Sequence, residues 1–382
     1  MTTTWQELAT ELATSVQGPV SPRWRDAIAA TPRHALVPAF KTGRDEAVDL
    51  VRDAYRDMML FPAVQPLPNA LVHIRAPSVV AGVLEDLDIQ PGQRVLEIGL
   101  EHGYSTALLT RVLGDDATFA VDSEPAAVED VRARLADIGH RPHLAVGDRL
   151  PAHGPYDRIL LTDEVTHVPW DLAEQLVPGG LISVDVSFGR SAGGRVVLRR
   201  EADRLVGHFF PFGWATIPSS RRVMALPGRV GETYDRATAD ESITTLDPEQ
   251  LWGPGVLWLM FLTTIGRREL TVGMTPYPDG DRYFITDHNG SWVEIERVEQ
   301  ERRRMRETRP HVVEPDPDIP PYTGPRQVWQ AGPTRLWTNL ARMHQTWTDL
   351  GQPKLEDLRL TVTPGRQWIW FDGPGRDWQA DL

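Results

Sequence analysis

Three carboxylates stand at the ends of three short apolar runs: Glu97 in "RVLEIG", Asp122 in "TFAVD" and Asp148 in "AVGDR". Gly99, Glu101 and Gly103 follow the first run as "GLEHGY", and Gly147 precedes the third acid. Glycines beside a strand end permit a tight turn and close backbone approach, while a carboxylate one strand further on can grip two ribose hydroxyls. Asp148, ending a third strand, stands where it would meet an adenine amino group. The chemistry suggested is recognition of a nucleotide-like ligand. The motif "GLEHG" is weak by itself, and each acid could instead cap a helix or turn; three acids at three adjacent strand ends favour ligand contact.

Other chemistries are excluded by what the chain lacks. It has no cysteine, so thiolate catalysis, disulfides and cysteine-ligated metals are ruled out. No HExxH or comparable spacing occurs, and no metal is expected. With 53 acidic against 40 basic residues, the net charge of −13 opposes non-specific nucleic-acid binding. The first residues, "MTTTWQELATELATSVQ", carry no basic region followed by an apolar core, and no later run reaches the length of a membrane span. These features predict a cytoplasmic protein without membrane or nucleic-acid partners.

The acids must be positioned by the elements around them. Residues 5–16 and 24–31 read as helices, and "SVVAGVLEDL" has helical spacing up to a Pro91-Gly92 turn. Strands and amphipathic helices then alternate from "RVLEIG" to "GLISVDV", which predicts an α/β, doubly wound, Rossmann-like sheet. The pattern fades over residues 226–250, taken as a linker between a first domain, 1–225, and a C-terminal α+β domain, 251–382. In that second part "GVLWLMFLTTI" reads as a core strand. Asp279-Gly280 and Asn289-Gly290 read as turns, "TRLWTNLARMHQTWTDLG" as a helix, and "LRLTVTPGRQWIWFDGP" as a hairpin. Trp214, Trp252 and Trp258 are expected in a core, and His34 is expected to anchor the N-terminal segment.

Several segments occur together in an order that resembles the protein L-isoaspartate O-methyltransferase family: "AIAATPRHALVPAF", "HIRAPSVVAGVLEDLDIQPGQRVLEIG", "EHGY", "VGDRLPAHGPYDRILLTDEVTHVP" and "EQLVPGG". They span roughly the first 225 residues. The C-terminal segments "QAGPTRLWTNL" and "LEDLRLTVTPGRQWIWFD" are similar, more loosely, to the extension of a bacterial subgroup associated with ribosomal peptide maturation in graspetide and lanthipeptide pathways. The resemblance implies S-adenosyl-L-methionine as cofactor, held by Glu97, Gly99, Glu101, Gly103, Asp122, Gly147 and Asp148. It implies methylation of a side-chain carboxylate, Asp or isoAsp, in a peptide or protein substrate. That substrate would be a precursor peptide modified by a neighbouring maturase, and the ester would be the prelude to an aspartimide.

Two positions depart from the family pattern. Glu101 stands where the family has a glycine, and Arg75, in "HIRAP", where it has a serine beside the reacting carboxylate. Glu101 could accept from the cofactor's ammonium group, and Arg75, the candidate catalytic residue, could clamp the substrate carboxylate through a two-pronged hydrogen bond. Arg75 could equally serve an ordinary ion pair, or the two could pair with each other and fill the cofactor's space. Three readings follow: a peptide carboxylate methyltransferase, a binding or scaffold protein that kept the fold without turnover, and a general isoaspartyl repair enzyme. His102 is expected to face solvent.

Overall fold

The computed structural model describes residues 4–37, 39–41, 50–62, 74–147, 153–187, 193–210, 235–246, 270–275, 282–287, 289–308, 323–373 and 376–382. Asp148, "GVLWLMFLTTI", Asp279-Gly280, Trp214, Trp252 and Trp258 lie outside the described residues.

The chain opens with α1 (Trp5–Ser15) and α2 (Pro22–Ala30). Thr4 and Glu7 form a capping box at the start of α1, each side chain bonded to the other's backbone amide. Its buried stripe, Leu8, Ala9, Leu12 and Ala13, has the helical spacing. α2 begins on Pro22, a residue suited to the first helical position because its missing N–H would be unpaired there. Next come α3 (Pro77–Asp86), α4 (Tyr104–Leu113) and α5 (Pro125–Asp137), alternating with β1 (Val95–Ile98), β2 (Thr118–Asp122) and β3 (His143–Val146). β4 (Tyr156–Val165), β5 (Leu176–Ser187), β6 (Gly193–Arg200) and β7 (Leu205–Phe209) follow.

β1 pairs in parallel with β2 on one side and with β4 on the other; β2 pairs with β3, and β4 with β5. The chain thus winds one way from β1 through β2 to β3, then returns to β4 on the opposite side of β1. This is the doubly wound α/β arrangement expected, and β1 and β4 flank the point where strand order reverses. All residues of β1 and β2 are buried, as a parallel sheet covered on both faces requires, whereas the edge strand β3 is only partly covered.

Compactness divides the chain into two units. The first contains residues up to Val186, then Gly194–Ala225 and Leu358–Trp370. Its late residues are the finding sequence pattern did not anticipate. Strand Arg359–Val362 pairs antiparallel with β7 and with residues 367–370, so the expected hairpin is present but extends the first unit's sheet. Leu360, Val362 and Ile369 are fully buried there. The second unit comprises Ser187–Gly193, Leu226–Asp357 and Phe371–Leu382. Its sheet runs in the order Asp240–Thr244, Arg326–Ala331, Trp292–Arg297, Arg282–Asp287, Leu270–Thr275, all antiparallel. Asp240–Thr244 lies inside the stretch 226–250 read as linker; its mostly polar residues pair with the strand Arg326–Ala331 as an exposed edge strand. Leu336–Asp349 is the expected helix, burying Leu336, Trp337 and Leu340.

Candidate functional site

The turn from β1 to α4 sits at the strand-order reversal and is held from three sides. Gly99 has φ of 89°, and a Cβ there would lie 2.2 Å from Thr162 Oγ1, on β4. That hydroxyl donates between the Ile98 and Gly99 carbonyls, at 3.0 and 2.8 Å. Gly103, φ 81°, is the N-cap of α4, and a Cβ there would meet Val131 of α5 at 2.7 Å. Both glycines are therefore required by backbone conformation and by close packing at once. Asp122, at the end of β2, accepts from the Leu100 amide at 3.0 Å and the Glu124 amide at 2.8 Å, and its own carbonyl accepts from the Gly147 amide at 2.9 Å. The ends of β1, β2 and β3 are thus tied together at this one residue.

Glu97 is completely buried in β1 and accepts from the Ser105 hydroxyl and, at 2.7 Å, from the Thr106 hydroxyl, both in the first turn of α4. Burial pushes its carboxyl up to about 7 against the opposing effect of those two donors. No side chain caps α4, so its first-turn amides and helix dipole remain suited to an anionic group.

Glu101 occupies the middle of the turn with φ of 46°, a left-handed conformation uncommon for a residue with a Cβ. Its carboxylate lies 3.0 Å from Arg75 Nε, with side-chain exposures of 12% and 7%. Arg75 Nη2 donates to the Thr162 carbonyl at 2.6 Å and lies 3.5 Å from Asp185. Burial alone would lower the arginine's affinity for its proton, but the surrounding carboxylates, Glu101 foremost, raise it. The two departures from the family pattern therefore form one buried ion pair. His102 is half-buried in the same turn rather than fully open to solvent.

Structure adds residues that pattern did not single out. Arg33 is fully buried: it donates to the carbonyls of Ala54 and, at 3.1 Å, Arg75, and its guanidinium lies 5.3 Å from the centre of the Tyr104 ring. Its neighbour His34 bonds the Tyr55 hydroxyl at 2.6 Å, in keeping with an anchoring role. Thr162 and Asp185 complete the surroundings of Arg75. A charge inside the apolar run "LISVDV" was the available signal for Asp185; nothing in local spacing marks Thr162. No group of metal-binding side chains occurs among the described residues, and no described helix is long and apolar enough to cross a membrane.

Residues 15–207 match the family model described as Protein-L-isoaspartate(D-aspartate) O-methyltransferase. A protein-L-isoaspartate O-methyltransferase of Aeropyrum pernix is 34% identical over 201 residues, covering 48% of this chain and 71% of that protein. One from Anaeromyxobacter dehalogenans is 38% identical over 184 residues, covering 47% and 79%. A solved structure of the same description aligns with a TM-score of 0.51 at 19% identity, over 97% of this chain and 100% of that one, a likeness of fold.

Proposed function

Since this chain belongs to the protein-L-isoaspartate(D-aspartate) O-methyltransferase family, we propose that it is an S-adenosyl-L-methionine-dependent enzyme that esterifies an Asp or isoAsp side chain of a ribosomally made precursor peptide. The observation that carries the cofactor assignment is the glycine-framed turn at the strand-order reversal, tied to the end of β2 by Asp122. The residues suit the cofactor chemically. The uncapped start of α4 offers amides to a carboxylate, and Asp122 marks the strand end where ribose hydroxyls are gripped in doubly wound folds. Glu101, whose charge would oppose the cofactor's carboxylate, is already neutralised by Arg75.

When bound, the cofactor supplies an electrophilic methyl group. An ionised carboxylate is already a nucleophile, so no general base is needed, and the chain's task is to align the acceptor and exclude water. Glu101 at Nε, and Thr162 and Asp185 at Nη2, fix the guanidinium plane of Arg75, which would present an N–H to an acceptor carboxylate. Methylation removes the side chain's charge. The following backbone nitrogen can then attack the ester carbonyl, forming the C–N bond of a five-membered imide as methanol leaves. The second unit would supply recognition of the peptide or of its maturase.

The buried Arg75–Glu101 pair supports a second reading, a fold retained for binding without turnover. Family membership equally accommodates general repair of isoaspartyl proteins. Calorimetry with S-adenosylhomocysteine separates the first two: micromolar affinity supports an enzyme, and no heat at millimolar ligand supports the binding protein. Mass spectrometry of an isoaspartyl peptide and of a candidate precursor peptide then distinguishes repair from maturation by which one gains a methyl group.

A further inference from the structure

The ion pairs around Arg75 continue beyond it. Asp185 of β5 lies 3.5 Å from Arg75 Nη2 through one oxygen and 3.7 Å from Arg195 Nε, on β6, through the other. Arg195 Nη1 in turn lies 3.1 Å from Asp86, the last residue of α3. Charges alternate along this ladder: Glu101, Arg75, Asp185, Arg195, Asp86. Side-chain exposure is 7% for both arginines and 11% for Asp185, rising to 26% only at Asp86.

Such a ladder is costly as a purely structural device, because buried ion pairs seldom outperform well-packed apolar side chains. Asp185 sits between Val184 and Val186, both fully buried, as the one charged residue of its strand. What it accomplishes follows from where Arg75 stands. A buried guanidinium beside the β1–α4 turn would by itself repel a cation, and the methyl donor assigned to that turn carries a sulfonium as well as an ammonium group. Its demethylated product is a neutral thioether. Fields are long-ranged in a weakly screened interior, so the sign of charge at Arg75 bears unequally on these two ligands.

We propose that Asp185 and Arg195 are specificity-determining residues that set the charge beside the cofactor turn: Glu101 balances Arg75, and Asp185, itself moderated by Arg195, tips the local charge negative so that the sulfonium cofactor is accepted over its thioether product. Two negative side chains meet Arg75, from Glu101 and Asp185; Arg195 moderates the second, and Asp86 moderates Arg195. This rests on the cofactor assignment of the preceding section, and it concerns residues outside the turn.

The ladder can be tuned in both directions, which supplies the test. Affinities for S-adenosylmethionine and S-adenosylhomocysteine are measured by calorimetry on the full chain carrying Asp185→Asn, Asp185→Glu or Arg195→Met. Asp185→Asn leaves Arg75 less compensated and should raise the ratio Kd(sulfonium)/Kd(thioether) by about three- to ten-fold. Arg195→Met should move the ratio the opposite way, and the charge-retaining Asp185→Glu should keep the parental value. Asp86→Asn, at the most exposed end, should shift it in the direction of Arg195→Met's opposite, more weakly, and remains available should a buried variant fail to fold. A ratio unchanged across folded variants that still bind the thioether overturns the inference and leaves the cofactor assignment standing. A parent that binds neither ligand overturns both.

Discussion

Glu101 and Arg75 illustrate how two unusual residues become one when the chain folds. Each alone disturbs the site: a side chain in a left-handed turn position, and a buried cation. Together they neutralise each other at 3.0 Å. Arg75→Ser takes the shared cation from both Glu101 and Asp185 and should destabilise by about 3–5 kcal/mol in urea unfolding, whereas Glu101→Gly leaves Arg75 paired with Asp185 and should cost less, relieved further by its easier backbone. The double replacement should cost less than the sum of the two, a coupling measurable as a double-mutant cycle. Cofactor affinity measured on the same proteins decides their role. Loss in the Glu101 variant indicates a working contact, whereas gain in the double variant over a parent that does not bind indicates a filled site.

Glu97 carries a second residue-scale prediction. Its folded-state carboxyl titrates near 7, above the ordinary glutamate value near 4.5, so the folded protein holds a proton that the unfolded chain releases earlier. Stability from this group is therefore full below about 4.5 and declines as pH rises towards about 7, by a few kcal/mol at most. Glu97→Gln should flatten that slope in unfolding curves taken across the range while preserving the bond acceptor for Thr106. A slope unchanged by the substitution would show that other groups carry it.

At the scale of elements, the β1–α4 turn depends on two glycines for different neighbours. Gly99→Ala would press a methyl group into the Thr162 hydroxyl at 2.2 Å, and that hydroxyl is committed to both Ile98 and Gly99 carbonyls. With the positive φ added, the expected cost is about 2–4 kcal/mol and a visibly lowered Tm. Combining it with Thr162→Ala should recover only the steric part, because the backbone conformation remains. Much of this turn was legible in "EIGLEHGY", since glycine spacing reports backbone demands locally. Its partners were not: Thr162 comes from the neighbouring strand and Val131 from α5.

For the whole molecule, the late strands change what a domain boundary means. Leu360, Val362 and Ile369 are fully buried in the sheet that β7 would otherwise end, each contributing about 1.5–3 kcal/mol of apolar burial. A chain cut near residue 235 should therefore lose stability in the first unit and expose β7 as an edge, despite retaining all the residues of the β1–α4 turn. Light scattering and a thermal scan would reveal association and a lower Tm. A truncated protein as stable and monomeric as the parent would show that these strands contribute little.

The amino-acid sequence by itself determined the alternation of strands and helices, the turn after β1, the acid at the end of β2 and membership of a methyltransferase family. Those features are written in short-range periodicity, glycine spacing and the order of motifs along the chain. Only the tertiary structure decided that Arg75 pairs with Glu101, that Asp185 and Arg195 extend that pair, that Glu97 faces the first turn of α4, and that residues 359–370 return to the first unit. Apart from Glu97 and α4, eight and nine residues apart, each of these joins groups distant in sequence. A charge inside an apolar run announces that it needs a partner, but the partner's identity depends on which strands become neighbours, and that is settled by packing.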